Sequence, residues 1–113
     1  MEVFVMDGGS SDGSLDVIRK WDGKLAGWRS NFDSGQADAI NEGITKGTAP
    51  YVCWLNSDDW FLSGGLKTLL FELERQPHAP CVYGKVLNVS QKSGKKSSVR
   101  VEAFDEKRLA LRC

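Results

Sequence analysis

Short strand-like runs alternate along this chain with stretches of helical periodicity, and this alternation is the feature that most constrains its fold. Strands are predicted at residues 3–6, 24–31 and 51–55. Apolar residues recur at helical spacing between and after these runs, which predicts helices at residues 14–21, 37–44 and 66–73. The alternation predicts an α/β fold with a mostly parallel sheet flanked by helices, in a single domain over residues 1–113.

The last part of the chain follows a different pattern. Ser63 is expected to cap the third helix, whose leucine stripe would pack in the core, and Pro77 to stop it. Residues 82–89 and 98–104 predict two strands of a C-terminal β-hairpin, joined by the polar stretch "QKSGKK". A further helix is predicted at residues 106–111.

Composition excludes several classes of partner. Fifteen basic residues balance fifteen acidic ones, so the chain has no electrostatic footprint for nucleic acid. No apolar run approaches the roughly 20 residues of a membrane-spanning helix, and no signal peptide opens the sequence. Cys53, Cys81 and Cys113 are odd in number and far apart, which predicts reduced thiols in a cytoplasmic protein and disfavours zinc.

Ligands of open α/β sheets bind beyond the carboxyl ends of the strands. In this chain that rule selects three polar loops, at residues 7–14, 31–36 and 56–60. We call them the first, middle and third loops. Any site for a ligand is expected there.

The third loop contains two adjacent carboxylates, in Asn56-Ser57-Asp58-Asp59. Two carboxylates about 4 Å apart repel by roughly 4 kcal/mol at an intermediate dielectric. Magnesium or manganese would relieve this repulsion and would hold a diphosphate that bare acids repel. The alternative is a solvated turn capped by Ser57 or Asp58, and these four residues alone favour it.

The first loop, "DGGSSDGS", is neither of the usual phosphate-binding loops. Ser10 stands where the second glycine of GxGxxG is required, and no GxxxxGK[ST] motif occurs in the chain. Asp7 can accept a hydrogen bond from a base N–H or a ribose hydroxyl, while Gly8 and Gly9 allow a flat ligand close to the backbone. The alternative is a plain strand-to-helix loop in which Asp12 caps the helix.

The middle loop places Gln36, Asp38 and Asn41 in the first turns of the second helix. A helix N-terminus favours acids in any case, so capping by Asp33 or Ser34 is an alternative explanation. Capping does not require Gln36 or Asn41.

The chain contains, in this order, the stretches "VFVMDGGSSDGSLDVI", "DSGQADAINEGI" and "WLNSDDWF". Together they resemble the inverting family-2 glycosyltransferases, which have the Rossmann-like GT-A fold. The resemblance covers residues 2 to about 75. It implies a nucleotide-sugar donor, usually a UDP-sugar, a divalent metal (Mg²⁺ or Mn²⁺) and an acceptor whose identity the sequence does not give.

The resemblance also implies roles for particular residues. Asn56-Ser57-Asp58 takes the place of the DxD motif, with Asp58 as metal ligand, and Asn56 and Asp59 assist. The remaining residues that would bind the nucleotide sugar are Asp7, Gly9, Gln36, Asp38 and Ser57.

Two departures from the family pattern shape the expectations. The family begins with a further strand and helix, so a truncated, partial domain is expected, with an uncovered sheet edge that favours self-association. The family's catalytic base has no match, although Glu102, Asp105 and Glu106 are available. The alternative to an enzyme is therefore a non-catalytic nucleotide-binding or interaction fragment of the same fold.

Overall fold

A computed structural model of the chain describes residues 1–99. The chain divides into two compact units, Met1–Asp58 and Asp59–Cys113. The predicted helix at residues 106–111 and most of the predicted strand at 98–104 lie outside the described residues. That residues 1–113 form a single domain stays a prediction.

The first unit consists of two parallel strands and two α-helices, as the periodicity predicts. Its elements are β1 (Phe4–Asp7), α1 (Ser14–Lys20), a 3-10 turn (Asp22–Lys24), β2 (Gly27–Ser30) and α2 (Gln36–Lys46). β1 and β2 pair in parallel register, with Phe4 opposite Gly27 and Asp7 opposite Ser30. Both strands therefore end at the same edge, where the first and middle loops begin.

Helix α2 packs against β1 through a glycine. A Cβ atom on Gly43 would lie 3.2 Å from Cγ of Met6, so a larger residue there would require the Met6 side chain to shift. Beyond the helix, the backbone N–H and the hydroxyl of Thr48 donate to the carboxylate of Glu2 at 2.8 and 3.0 Å. These bonds lower the pKa of Glu2. They also hold the segment that leads to the third loop beside the start of β1.

The predicted strand at residues 51–55 is wrong. This segment has no regular secondary structure. Its large side chains are exposed, with exposed fractions of 44% for Tyr51, 57% for Val52 and 64% for Trp54. The reason is that a strand is stable only when a neighbour completes its ladder, and within residues 1–99 neither β1 nor β2 pairs with it. Self-association through an uncovered sheet edge stays a prediction.

The second unit contains α3 (Gly65–Arg75), β3 (Leu87–Val89) and β4 (Lys96–Ser98). The strands pair antiparallel, which confirms a hairpin. β3 covers only the end of the predicted strand at 82–89, and β4 begins at Lys96, within the stretch predicted as the loop. The prediction of a Ser63 cap is wrong, because the N-cap is Gly64 at φ 75, a left-handed conformation that favours glycine. α3 ends two residues before Pro77, as predicted. No described helix is long and apolar enough to cross a bilayer.

Two predictions about packing are corrected by the structure. Leu66, Leu69 and Leu73 are half-buried and Leu70 is 40% exposed, so the leucine stripe does not form the expected core. None of the described hydrophobic residues is fully buried. The α/β class is confirmed, but within residues 1–99 parallel pairing extends over two strands only, so the larger parallel sheet is not found there.

Candidate functional site

Asp7 ends β1 with a carboxylate that the first loop surrounds. Its Oδ2 atom accepts hydrogen bonds from the N–H groups of Gly9 (3.1 Å) and Ser10 (2.9 Å) and from the Ser30 hydroxyl (2.6 Å). Its Oδ1 atom accepts from the Ser10 hydroxyl at 2.5 Å. The hydroxyls of Ser10 and Ser30 contribute most to lowering the pKa of Asp7 to about 2. The carboxylate is therefore ionised at neutral pH, and Oδ1 keeps a lone pair for a ligand.

We expect Asp7 to make the stability of the chain depend on acid pH. Its pKa is about 2 in the folded chain against an ordinary 3.8, so the stabilisation is complete above pH 3.8 and disappears as the pH falls through about 2. Because solvent screens this half-buried group, the loss should be on the order of 1 kcal/mol. Urea unfolding at several pH values between 6 and 2 measures it.

Asp7→Asn should be less stable than the parent at pH 6 and should lose less stability on acidification. The matched control is Asp16→Asn, since among residues 1–99 the side chain of Asp16 pairs with Arg19 alone, at 3.5 Å and in an exposed position. If the parent and Asp7→Asn lose stability equally with falling pH, the hydrogen bonds to Asp7 do not contribute as described.

Two glycines let the first loop lie against the middle loop. A Cβ atom on Gly8 would approach Oδ2 of Asp33 to 3.3 Å. Gly9 has φ 88, in the left-handed region, and a Cβ there would lie 3.5 Å from the backbone nitrogen of Phe32. The sequence predicts that these glycines admit a flat ligand; what the structure shows is that they allow the neighbouring loop to lie close.

Arg29, inside β2, joins the two loops and α2. Its Nη1 donates to the carbonyl oxygens of Asp7 and Asn31, both at 2.8 Å, and to Oδ2 of Asp33 at 3.2 Å, while Nε donates to Glu42 at 2.6 Å. The side chains of Arg29 and Asp33 are only 13% and 12% exposed. Burial alone would lower the pKa of Arg29, but the hydrogen bonds to Glu42 and Asp33 outweigh it and raise that pKa.

Sequence reasoning missed Arg29 as a residue of this region. The available signal is a charged residue in the interior of a predicted strand, followed four residues later by an acid, Asp33. The second acid, Glu42, is thirteen residues away in sequence, and only the packing of α2 brings it close.

The start of α2 is organised by its own loop. Its N-cap is Gly35, which makes no side-chain cap, so neither Asp33 nor Ser34 occupies the cap position. Instead, Oδ1 of Asp33 accepts from the Gly35 N–H at 2.9 Å, and Oδ2 of Asp38 accepts from the Ser34 N–H at 3.1 Å. Asp38 is therefore engaged with the backbone of the middle loop.

Gln36, the first residue of α2, reaches the third loop. Its Nε2 donates to Oδ1 of Asn56 at 2.7 Å. Ser57 and Asp58 follow in an exposed turn, which is the geometry that the turn alternative predicts. The structure thus brings Gln36 and Asn56 together within the unit Met1–Asp58, and places Asp58 two residues beyond them.

The oxygen atoms of the turn at Ser57 and Asp58 are suited to a hard cation whose coordination is completed by a phosphate-containing ligand. Carboxylate and amide oxygens are ligands that Mg²⁺ and Mn²⁺ accept, and magnesium is often held by one or two carboxylates together with substrate phosphates. Among residues 1–99, no three or more His, Cys, Asp or Glu side chains form a ready metal cage. A metal ion at Asp58 would therefore need phosphate oxygens and water to complete its coordination.

Comparison with known proteins identifies relatives of the chain. The family model for glycosyl transferase family 2 matches residues 1–111. Two curated relatives, uncharacterized glycosyltransferases from two strains of Mycobacterium tuberculosis, are each 34% identical to the chain over 61 residues. This match covers 54% of the chain and 23% of either relative, so the chain aligns with about a quarter of their length. No solved structure matches the chain.

Proposed function

The chain belongs to glycosyl transferase family 2, and we propose that it transfers a sugar from a nucleoside-diphosphate sugar to an acceptor hydroxyl with inversion at the anomeric carbon. The observation that carries this proposal is the 2.7 Å hydrogen bond from Gln36 to Asn56. It joins two loops that a donor site would need side by side. A UDP-sugar is the proposed donor.

In this proposal the diphosphate is held at Asn56-Ser57-Asp58. Asp58 binds Mg²⁺ or Mn²⁺ through its exposed carboxylate, and Asn56 and Asp59 assist through hydrogen bonds. The ion, when bound, neutralises the diphosphate and stabilises it as a leaving group. Ser57 offers a hydroxyl to the same diphosphate. The exposure of residues 56–59 supports the proposal, because a ligand can reach these side chains from solvent.

The nucleoside lies at the ends of β1 and β2 in the same proposal. Asp7 accepts a hydrogen bond from the nucleoside through the remaining lone pair of Oδ1, and Gly9, which has no side chain, leaves room for the ring of the base. Gln36 and Asp38 border the pocket from the start of α2. Support comes from the fixed orientation of the Asp7 carboxylate, which the hydroxyls of Ser10 and Ser30 hold in place.

The reaction itself needs one further group. The acceptor oxygen forms a bond to the anomeric carbon while the bond from that carbon to the diphosphate oxygen breaks, and the acceptor proton passes to a base. Glu102, Asp105 and Glu106 are the acids from which the sequence would supply that base, and they lie outside the described residues. We therefore assign no residue to this step.

A second candidate function is a non-catalytic nucleotide-binding or interaction module of the same fold. Asn56 stands where the family motif has its first acid, and its amide oxygen already accepts a hydrogen bond from Gln36. Both features weaken the metal site relative to a pair of carboxylates. Such a module would bind the nucleotide and release no sugar.

A turnover assay separates the two functions. We expect the purified chain with Mn²⁺ to release UDP from UDP-glucose, UDP-galactose or UDP-N-acetylglucosamine at least about tenfold faster than a chain-free control, because one tenfold step needs only about 1.4 kcal/mol of transition-state stabilisation. Addition of EDTA should abolish this release. A folded chain that binds UDP but releases none from any of these donors would contradict the enzyme and favour the binding module.

A further inference from the structure

Phe32 presents an almost fully exposed aromatic ring at the edge where β1 and β2 end. The exposed fraction of its side chain is 91%, which is the highest of any phenylalanine in residues 1–99. Single exposed apolar residues are common and need no explanation by themselves. What distinguishes Phe32 is how firmly its backbone is held.

The residues on both sides of Phe32 are tied to the strands and to Arg29. The backbone N–H of Asn31 donates to the carbonyl of Asp7 at 3.2 Å, and Arg29 donates to the carbonyl of Asn31 at 2.8 Å. Asp33 accepts from Arg29 and from the Gly35 N–H. The ring therefore projects into solvent from a fixed segment of backbone.

The first loop lies directly beside this ring. A Cβ atom on Gly9 would sit 3.7 Å from ring atom Cδ2 of Phe32, so the glycine leaves one side of the ring next to bare backbone. Within the same loop, Oδ1 of Asp7 accepts one hydrogen bond from the described residues, although a carboxylate oxygen has two lone pairs. A fixed aromatic face, bare backbone and a free acceptor suit a flat heterocycle that carries a ring N–H.

We propose that Phe32 stacks on the nucleobase of the bound nucleotide and so contributes to base binding without touching the diphosphate. This inference rests on the proposed nucleotide-sugar donor and adds to it a residue that recognises the base. Stacking explains why a large apolar side chain is held in water at this edge. Proteins that bind single-stranded nucleic acids use exposed aromatic rings in the same way, as surfaces on which bases of any sequence stack.

Calorimetry with two probes tests the inference. With Mn²⁺ present, Phe32→Ala should bind UDP roughly 5- to 150-fold more weakly than the parent, since a stacked base contributes about 1–3 kcal/mol. Phe32→Tyr should restore the parent affinity. Inorganic pyrophosphate, which has no base, should bind the parent and both variants within about twofold of one another.

The matched control is Phe71→Ala in α3, where the phenylalanine is also exposed, at 56%. It should bind UDP as the parent does. Equal UDP affinity of Phe32→Ala and the parent would overturn the stacking inference and leave the proposed function intact, and so would a parallel loss of pyrophosphate binding in Phe32→Ala. A folded parent chain that binds no UDP would overturn the proposed function, and the stacking inference with it.

Discussion

Asp58→Asn is expected to weaken Mn²⁺-dependent binding of UDP by roughly 100-fold. Substitution of groups that merely orient a metal ligand commonly lowers metal affinity about 10- to 100-fold, and loss of the ligand itself should reach the upper end of that range. Asparagine keeps the size of the side chain and removes its charge. The exposed setting of Asp58 makes a folding defect from this change small. Calorimetric titration with UDP, with and without Mn²⁺, measures the effect.

The control for this variant is Asp16→Asn, which removes an exposed acid from α1. The side chain of Asp16 is 74% exposed and, within the part of the chain that the structure describes, pairs only with Arg19. Its substitution should leave UDP binding at the parent value. If Asp58→Asn retains the full effect of Mn²⁺ on UDP affinity, then Asp58 is not the metal ligand and the turn alternative is correct.

Arg29→Met should be the most destabilising single substitution among the residues of the first unit described above. It leaves the carboxylate of Asp33, only 12% exposed, without its cationic partner, and it removes one hydrogen-bond donor from each of the carbonyl oxygens of Asp7 and Asn31. Removing one member of a largely buried charge network is strongly destabilising because the remaining charge is left uncompensated. We expect the midpoint of thermal unfolding to fall by at least about 5 °C.

Two further variants make this test specific. Arg19→Met removes an arginine whose side chain is 61% exposed, and it should shift the midpoint by less than about 2 °C. Arg29→Lys keeps the charge but not the planar fork that reaches several acceptors, so it should restore only part of the loss. Equal midpoints for Arg29→Met and Arg19→Met would show that the network around Arg29 contributes no more than an exposed ion pair.

Local patterns in the sequence predict much of the first unit. β1, α1, β2 and α2 lie where periodicity and glycines predict them, because each depends mainly on side chains a few residues apart. Residues 51–55 satisfy the same pattern and form no strand, because a strand also needs a partner that the pattern cannot supply. The prediction that Ser63 caps α3 is wrong because the N-cap position is occupied by Gly64, whose backbone is left-handed.

For the candidate site as well, the sequence predicts which loops are involved but not the long-range contacts between their residues. The polar loops and their candidate residues follow from the rule for ligand positions in open α/β sheets. The hydrogen bond between Gln36 and Asn56 joins residues twenty apart, and the contacts of Arg29 span up to 22 residues, so neither could be read from spacing. The hydrogen bond from Ser30 to Asp7 could not be predicted from spacing either, because the parallel register of β1 and β2 is what brings these two residues together.

Calorimetry of the unmodified chain with UDP, in the presence and absence of Mn²⁺, tests the central claim most directly. A donor site built on Asp58 and the loops around Asp7 and Gln36 predicts saturable binding of UDP that Mn²⁺ strengthens by about 100-fold, since the ion neutralises the diphosphate at the carboxylate. Circular dichroism of the same sample shows that the chain is folded. A folded chain that binds no UDP, or that binds it equally with and without Mn²⁺, would contradict a metal-dependent donor site.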